Sequence, residues 1–353
     1  MATAGEFAIM GLGADANSLE SIDFSDPWYV QSWQENTLIN DRVYMILSDL
    51  SYSMWRYINA MYFNKQLSDQ LGISDTLYTI AADGDLTLDY VMSCAELVVE
   101  DDGNDLWDEN DKYGICFNTF NCRAFLTYFD IPVVELTDSG EYEDVFYSDR
   151  TEEVFATMQN YMFNNNYVYL NNKVVPGDDN NFTVTLPMFM EDRLLFLPAT
   201  LEKSQDLRAM DGAFGILPMP KYDDLQEDYL SHSNDTFTVF MIPAQAKDLE
   251  FCGTVFNALS AENKYSVIPA YYDVVLKGRT TKDEQSIEML DLIRDHLYFD
   301  FALAHLSALG NMWTHFGIIA HQNVTSFKSQ YDSNAEMYQE KLDAILEAYW
   351  KVR

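Results

Sequence analysis

The stretch DGAFGILPMPKYDD, residues 211–224, decides how the rest of the chain is read. Ala213 to Leu217 has the length and apolarity of a buried strand, yet it runs straight into Pro218 and Pro220. Proline lacks a backbone N–H and drives its predecessor toward extended geometry. The strand must stop at Leu217, and the chain must leave it extended, unable to pair further or to turn helical.

Working outward, LLFLPA (194–199), KYGICF (112–117), RVYMIL (42–47), TFTVFMIP (236–243) and the start of YINAMYFNKQL (57–67) read as further strands. Helical patterns alternate with them. TLDYVMSCAELVVE follows the N-cap candidate Thr87, and SDRTEEVFATMQNYMF follows Ser148. SDLSYSMW (48–55) has no helical period and reads as a connection, and Asn171 to Asn181 reads as a loop. The last third is helical: residues 248–263, 264–278, 283–297 and 334–353. This pattern predicts α/β with a largely parallel sheet and a helical C-terminal third. No solenoid repeat and no Gly/Ser-rich linker occurs.

Bulk composition narrows the class. At 353 residues and 48% hydrophobic, the chain can bury a large core as two or three domains or one two-lobed body. Asp plus Glu is 57 and Lys plus Arg is 21, a net charge of −36. Nucleic acid and anionic membranes would repel such a chain. The acids are scattered through periodic segments, which reads as a solvated acidic surface. No apolar run approaches the ~18 residues of a membrane helix. MATAGEFAIMGLGADANS has no basic and apolar regions of a signal peptide, so the protein is either intracellular or its targeting segment lies outside this chain. Cys94, Cys116, Cys122 and Cys252 have no zinc spacing; Cys116 and Cys122 read as buried free thiols, with a bridge as the alternative.

Catalytic signatures are sparse. GxSxG, HExxH, GxxxxGK[ST] and GxGxxG are absent. The five histidines are dispersed, and His232, in the polar run SHSND, reads as a solvated loop residue. EDDGNDLWDEND (100–111) places Glu100, Asp102, Asn104, Asp108 and Asp111 like the oxygen donors of a calcium loop, although Asp105 stands where the sharp turn prefers glycine. No other cofactor is expected.

Aromatic residues carry more information. Trp28, Trp33, Trp55 and Trp313 lie beside polar breaks, where an indole offers a flat apolar face suited to a sugar ring.

In order along the chain, PWYVQSWQENTLINDRVYMILSDLSYSMWRYINAMYFNKQL, TLDYVMSCAELV, MEDRLLFLPATL, DGAFGILPMPKYDD and SVIPAYYDVVLKG resemble the extracellular solute-binding proteins of bacterial ABC importers, carbohydrate type (family 1), of Gram-positive gut bacteria. The pairing of FGILPMPKYD with IPAYYDVVLKG is the specific part, and the resemblance runs from about residue 23 to the end. It implies a type II periplasmic-binding-protein-like fold: two α/β lobes joined by a hinge, with the ligand cleft between them. Residues 1–48 plus 238–303 would form lobe 1, residues 53–236 plus 304–353 lobe 2, and segments 49–52 and 236–238 the hinge. The strand AFGIL would then end near the cleft. Ligand contacts implied by position are Trp313, Trp55, Asp49, Ser51, Asn118, Thr119, Thr200 and, more loosely, Trp33. A carbohydrate ligand, permease subunits as partners, a monomeric state and a lipid anchor on the cell surface follow from the same resemblance. A peptide or other small solute, or a surface carbohydrate-processing enzyme, are the alternatives. About twenty residues precede DFSDPW, fewer than the ~30 of a βαβ unit. Lobe 1 is therefore expected to be incomplete at its N-terminus, with FAIMGLG as the remnant of a strand.

Overall fold

The computed structural model describes residues 2–137, 141–170, 182–210, 212–273, 276, 284–320 and 326–351. Its centre is a sheet of five strands: β1 (Asn59–Asn64), β2 (Tyr113–Phe117), β5 (Val168–Leu170), β6 (Leu194–Thr200) and β7 (Phe214–Leu217). Two short strands, β3 (Val134–Leu136) and β4 (Tyr142–Asp144), form a separate hairpin. The order in the sheet is β5-β2-β6-β1-β7. β2 runs parallel to both β5 and β6, and β1 runs antiparallel to β6 and β7. Every residue of β1, β2, β6 and β7 is buried, which explains their unbroken apolar runs: both faces are covered, as in α/β sheets generally.

Helices among the described residues include α1 (Ala2–Ile9), α2 (Gln31–Thr37), α3 (Tyr52–Arg56), α4 (Lys65–Leu71), α5 (Ser74–Ala82), α6 (Leu88–Glu96), α7 (Thr119–Tyr128), α8 (Asp149–Phe163), α9 (Thr185–Met190), α10 (Leu249–Tyr265), α11 (Glu284–Asp295) and α12 (Ala335–Lys351). Their starts follow local chemistry. Thr87 accepts the Tyr90 N–H, Ser148 the Thr151 N–H and Asp248 the Phe251 N–H, each a side-chain cap on an otherwise unpaired donor. β1 passes into α4 through Asn64, whose side chain caps the Leu67 N–H.

β7 is an edge strand, and α11 covers it: Ser286 Oγ accepts the Ile216 N–H at 3.1 Å and lies 2.7 Å from the Tyr78 hydroxyl. Gly215 is required here, since a Cβ would stand 2.1 Å from the Phe63 ring. Beyond Leu217 the two prolines act as the sequence predicts. The chain leaves extended, and Lys221 makes a single bridge with Thr87, donating to Leu86 O and accepting from Leu88 N.

The part expected to form lobe 1 is built differently. Among the described residues, 42–47 and 236–243 form no strand; one isolated bridge, Ile46 with Phe240, joins them, and another ties Pro243 to Gly13. Both segments were expected as strands from their β-rich composition, but a strand needs a continuous partner and neither finds one. A small separate core fills this region, with Ala14, Ala16, Leu19, Ile22, Tyr29, Ile46 and Ile242 buried together. FAIMGLG is no strand remnant either. Residues up to Ile9 belong to α1, with Ala8 buried and Gly5 packed against the 301–304 turn of helix. All four cysteines are free. The loop Asn171–Asn181 and the chain after residue 276, up to 283, lie outside the described residues.

Candidate functional site

The parallel strands β2, β5, β6 and β7 all end on one side of the sheet, at Phe117, Leu170, Thr200 and Leu217. Antiparallel β1 begins there, with Asn59 paired to Thr200. In open α/β sheets the crevice outside the carboxyl ends of the strands is where ligands bind.

α7 lies along it. Asn118 follows β2 directly and caps the helix in a reciprocal pair with Asn121. The other end, Tyr128, sits against His232 with ring centroids 6.4 Å apart. The His232 carbonyl accepts both the backbone N–H and the Nδ2 of Asn59, at 2.9 and 3.1 Å, which fixes this loop to the start of β1. Trp313 stacks on the His232 ring at 5.2 Å with 26° between the planes. Ser233 Oγ donates to Met54 O, next to Trp55. Trp313 and Trp55, separated by 258 positions in sequence (313 − 55), are thus linked through His232, Ser233 and Met54 along one edge.

Around Trp55 the sequence-expected hinge residues converge. Trp55 Nε1 donates to Asp49 Oδ1 at 2.9 Å, and Lys264 Nζ lies 3.3 Å from Asp49 Oδ2. Burial raises the Asp49 carboxyl above the usual range, against the pull of Lys264 and the Trp55 hydrogen bond. Trp55 meets Tyr272 edge to face at 6.0 Å, and Tyr52 meets Tyr271 at 5.0 Å. Arg56 pairs with Glu202 at 2.7 Å just beyond the end of β6.

Several buried polar atoms on this edge have no hydrogen-bond partner among the described residues: Ser51 Oγ, Thr200 Oγ1, Tyr271 OH, Thr127 Oγ1, Tyr128 OH and His232 Nδ1. Leaving a buried polar group unsatisfied costs about 1–3 kcal/mol. Their concentration beside aromatic rings is therefore costly unless something else supplies partners. Full burial lowers the His232 imidazole to about 3, so the ring is neutral and can offer or accept one hydrogen bond at Nδ1.

The expected contacts do not all qualify. Trp33 is completely enclosed (0% exposed): its Nε1 donates to Met45 O at 2.9 Å, and its ring lies between Phe237 and Phe299. It is a core residue, because α2 turns it inward. The Asn118 side-chain oxygen is committed to the cap, and Thr119 is buried as the first residue of α7. Trp55 and Trp313 reach the edge, but each is mostly covered, 7% and 3% exposed. The stacking face of Trp313 is held by His232. His232 itself corrects the sequence reading: it is buried, not solvated, because Asn59 and Trp313 claim it. No local signal in SHSND reveals partners so distant in sequence. Tyr271 and Tyr272 stand in the stretch IPAYYDVVLKG, whose paired tyrosines are the one signal that pointed to them.

The loop at 100–111 gathers a different set from the one its spacing suggests. Carboxylates of Asp101, Asp102 and Asp111 lie within 4.8 Å of one another. Glu100 instead pairs with Lys112 at 2.5 Å, while Asn104 and Asp108 accept backbone N–H groups of the loop. Asp111 accepts the N–H of Asp102 and of Asp108. Asp105 adopts φ 62°, the left-handed geometry glycine would favour at that turn.

The chain is similar to a sugar transporter from Rhizobium etli in an open conformation, at 14% identity and TM-score 0.61, covering 100% of this chain and 83% of that one. It is similar to an ABC substrate-binding protein from Listeria monocytogenes in complex with cycloalternan, at 12% identity and TM-score 0.58, covering 98% and 82%. A solute-binding protein from Thermotoga lettingae bound with alpha-D-tagatose matches at 12% identity and TM-score 0.57, covering 97% and 82%. No protein-family model and no curated protein matches the chain. The fold is that of two-lobed, periplasmic-binding-protein-like α/β proteins. Among the described residues, no helix is long and apolar enough to cross a membrane.

Proposed function

We propose that the protein captures a mono- or oligosaccharide for an ABC importer, without chemistry, and hands it to permease subunits. One observation carries this reading: unpaired hydroxyls and a neutral imidazole lie buried beside aromatic rings along the carboxyl edge of the sheet. A polyol supplies hydroxyls to those atoms and apolar C–H faces to the rings. The solved relatives named above, described as binding cycloalternan and tagatose, support the same ligand class. Residues 49–52 and 236–238 act as the hinge between lobe 1 (1–48 and 238–303) and lobe 2 (53–236 and 304–353). Opening there uncovers Ser51, Thr200, Trp55 and Trp313. The protein works outside the cytoplasm on a lipid anchor. Calorimetry across a panel of neutral mono- and oligosaccharides tests the reading. A saturable sugar whose binding is weakened by Thr200→Val and Tyr128→Phe supports it; no heat and no shift in melting temperature with any member of the panel sinks it.

A further inference from the structure

Away from that edge, a cavity of about 610 Å³ opens between α12, the β3–β4 hairpin and the turn at residues 38–41. Its walls are fixed by the fold. Tyr142 OH donates to Leu38 O at 2.8 Å, and the Tyr142 ring packs on Phe301 at 4.5 Å. Asn40 and Asp41 hold left-handed geometry in a turn closed by mutual backbone bonds between Ile39 and Arg42. The size is that of a small-ligand or short-peptide site.

The lining combines two features. Trp350 and Leu136 remain 71% and 55% exposed, leaving an apolar surface open to water beside Leu38. Four carboxylates, Asp41, Glu141, Glu143 and Asp343, come from three separate elements and share the same cavity. None has a cationic partner among the described residues; the Arg42 guanidinium turns instead to the Tyr44 hydroxyl, and Asp343 is met by the Gln339 amide. No basic side chain lines the cavity among the described residues. The C-terminal end of the seventeen-residue α12 adds the negative pole of its backbone dipoles beside Trp350.

We propose that this cavity docks a lysine- or arginine-bearing segment of a partner polypeptide whose alternate residues are apolar. Cationic heads meet the four carboxylates, one of them over the Trp350 face, and aliphatic side chains cover Leu38 and Leu136. The charge of −36 draws such a segment in from solution.

The test uses the full chain and a fluorescent eight-residue peptide of alternating lysine and leucine, titrated at low salt and followed by anisotropy. Trp350→Ala and the pair Glu143→Gln with Asp343→Asn should each weaken binding about five-fold or more, as loss of a cation–π contact or an ion pair implies. The control pair Asp75→Asn with Asp83→Asn, exposed on and just after α5, should leave binding within about two-fold, since it removes the same charge elsewhere. Equal weakening by the control reduces the effect to general attraction and overturns the proposal. So does equal binding of a glutamine–leucine peptide. Spermidine that binds more tightly than the peptide with the same variant pattern assigns the cavity to small polyamines and likewise overturns it.

Discussion

Asp49 joins two parts of the molecule: it accepts the Trp55 indole N–H at 2.9 Å and faces Lys264 Nζ at 3.3 Å. Trp55 precedes the first strand of the main sheet, whereas Lys264 ends α10, whose inner face packs on the smaller core. The Asn263 amide also donates to Asp49 O. Asp49, expected to touch ligand, thus has its carboxylate engaged by Trp55 and Lys264.

Asp49→Ala should lower stability by about 2–4 kcal/mol, because it strands a buried indole N–H and a half-covered ammonium. Asp49→Asn keeps an acceptor for Trp55 and should cost about 1 kcal/mol. Urea unfolding of both variants measures the gap, and equal losses would remove the role assigned to the Trp55 hydrogen bond.

His232 sets a pH dependence. Its folded pKa, about 3, lies below the unfolded value near 6.5, so the unfolded chain binds the proton more readily. The stability it contributes is complete above pH 6.5 and falls with pH toward 3, by roughly 3 kcal/mol at pH 4.5. His305, lowered to about 4 by burial, acts in the same direction. Asp300, pushed up to about 6 by burial, acts in the opposite one, gaining stability as pH falls through 6. His232→Phe keeps the stack on Trp313 and removes the titration. Its unfolding free energy should therefore fall less between pH 7 and 4.5 than that of the parent.

Thr200→Val and Ser51→Ala separate binding from folding. Both hydroxyls are buried with no partner among the described residues. Thermal unfolding without ligand should stay level or rise by up to ~1 kcal/mol, since an unsatisfied group disappears. Sugar affinity should fall about ten-fold for each if the hydroxyl pairs with ligand.

Asp111→Ala should cost about 2–3 kcal/mol, because two backbone N–H groups lose a charged acceptor. A chelator should leave that difference unchanged, as both carboxylate oxygens are held by the chain itself. A calcium-dependent rise in melting temperature that vanishes in Asp111→Asn would instead mark Asp101, Asp102 and Asp111 as ligands.

Much of the main sheet was legible because its strands are buried on both faces. YGICF, LLFLPA and FGIL read as continuous apolar runs bounded by turn residues, and each is a strand. RVYMIL and TFTVFMIP have equally good composition but lack a neighbour for a ladder, and pairing is not written in a segment's own residues. The same limit governs the site. Thr200 and Asn118 could be placed from the strands they follow. His232 is held by Asn59 and Trp313, and Tyr128 packs on His232, contacts that no local pattern encodes. Trp33 looked like the other tryptophans beside polar breaks, and only the direction of α2 separates it from them.

The bridges joining residues 13, 46, 240 and 243 have a mechanical consequence. Short pairings with few cooperative bonds open at lower free energy than a five-stranded ladder. Amide protons at 43–47 and 239–242 should exchange with solvent orders of magnitude sooner than those at 60–63 and 195–199. One part of the protein is then compliant and the other stiff, so thermal opening begins in the softer part and leaves the ladder intact.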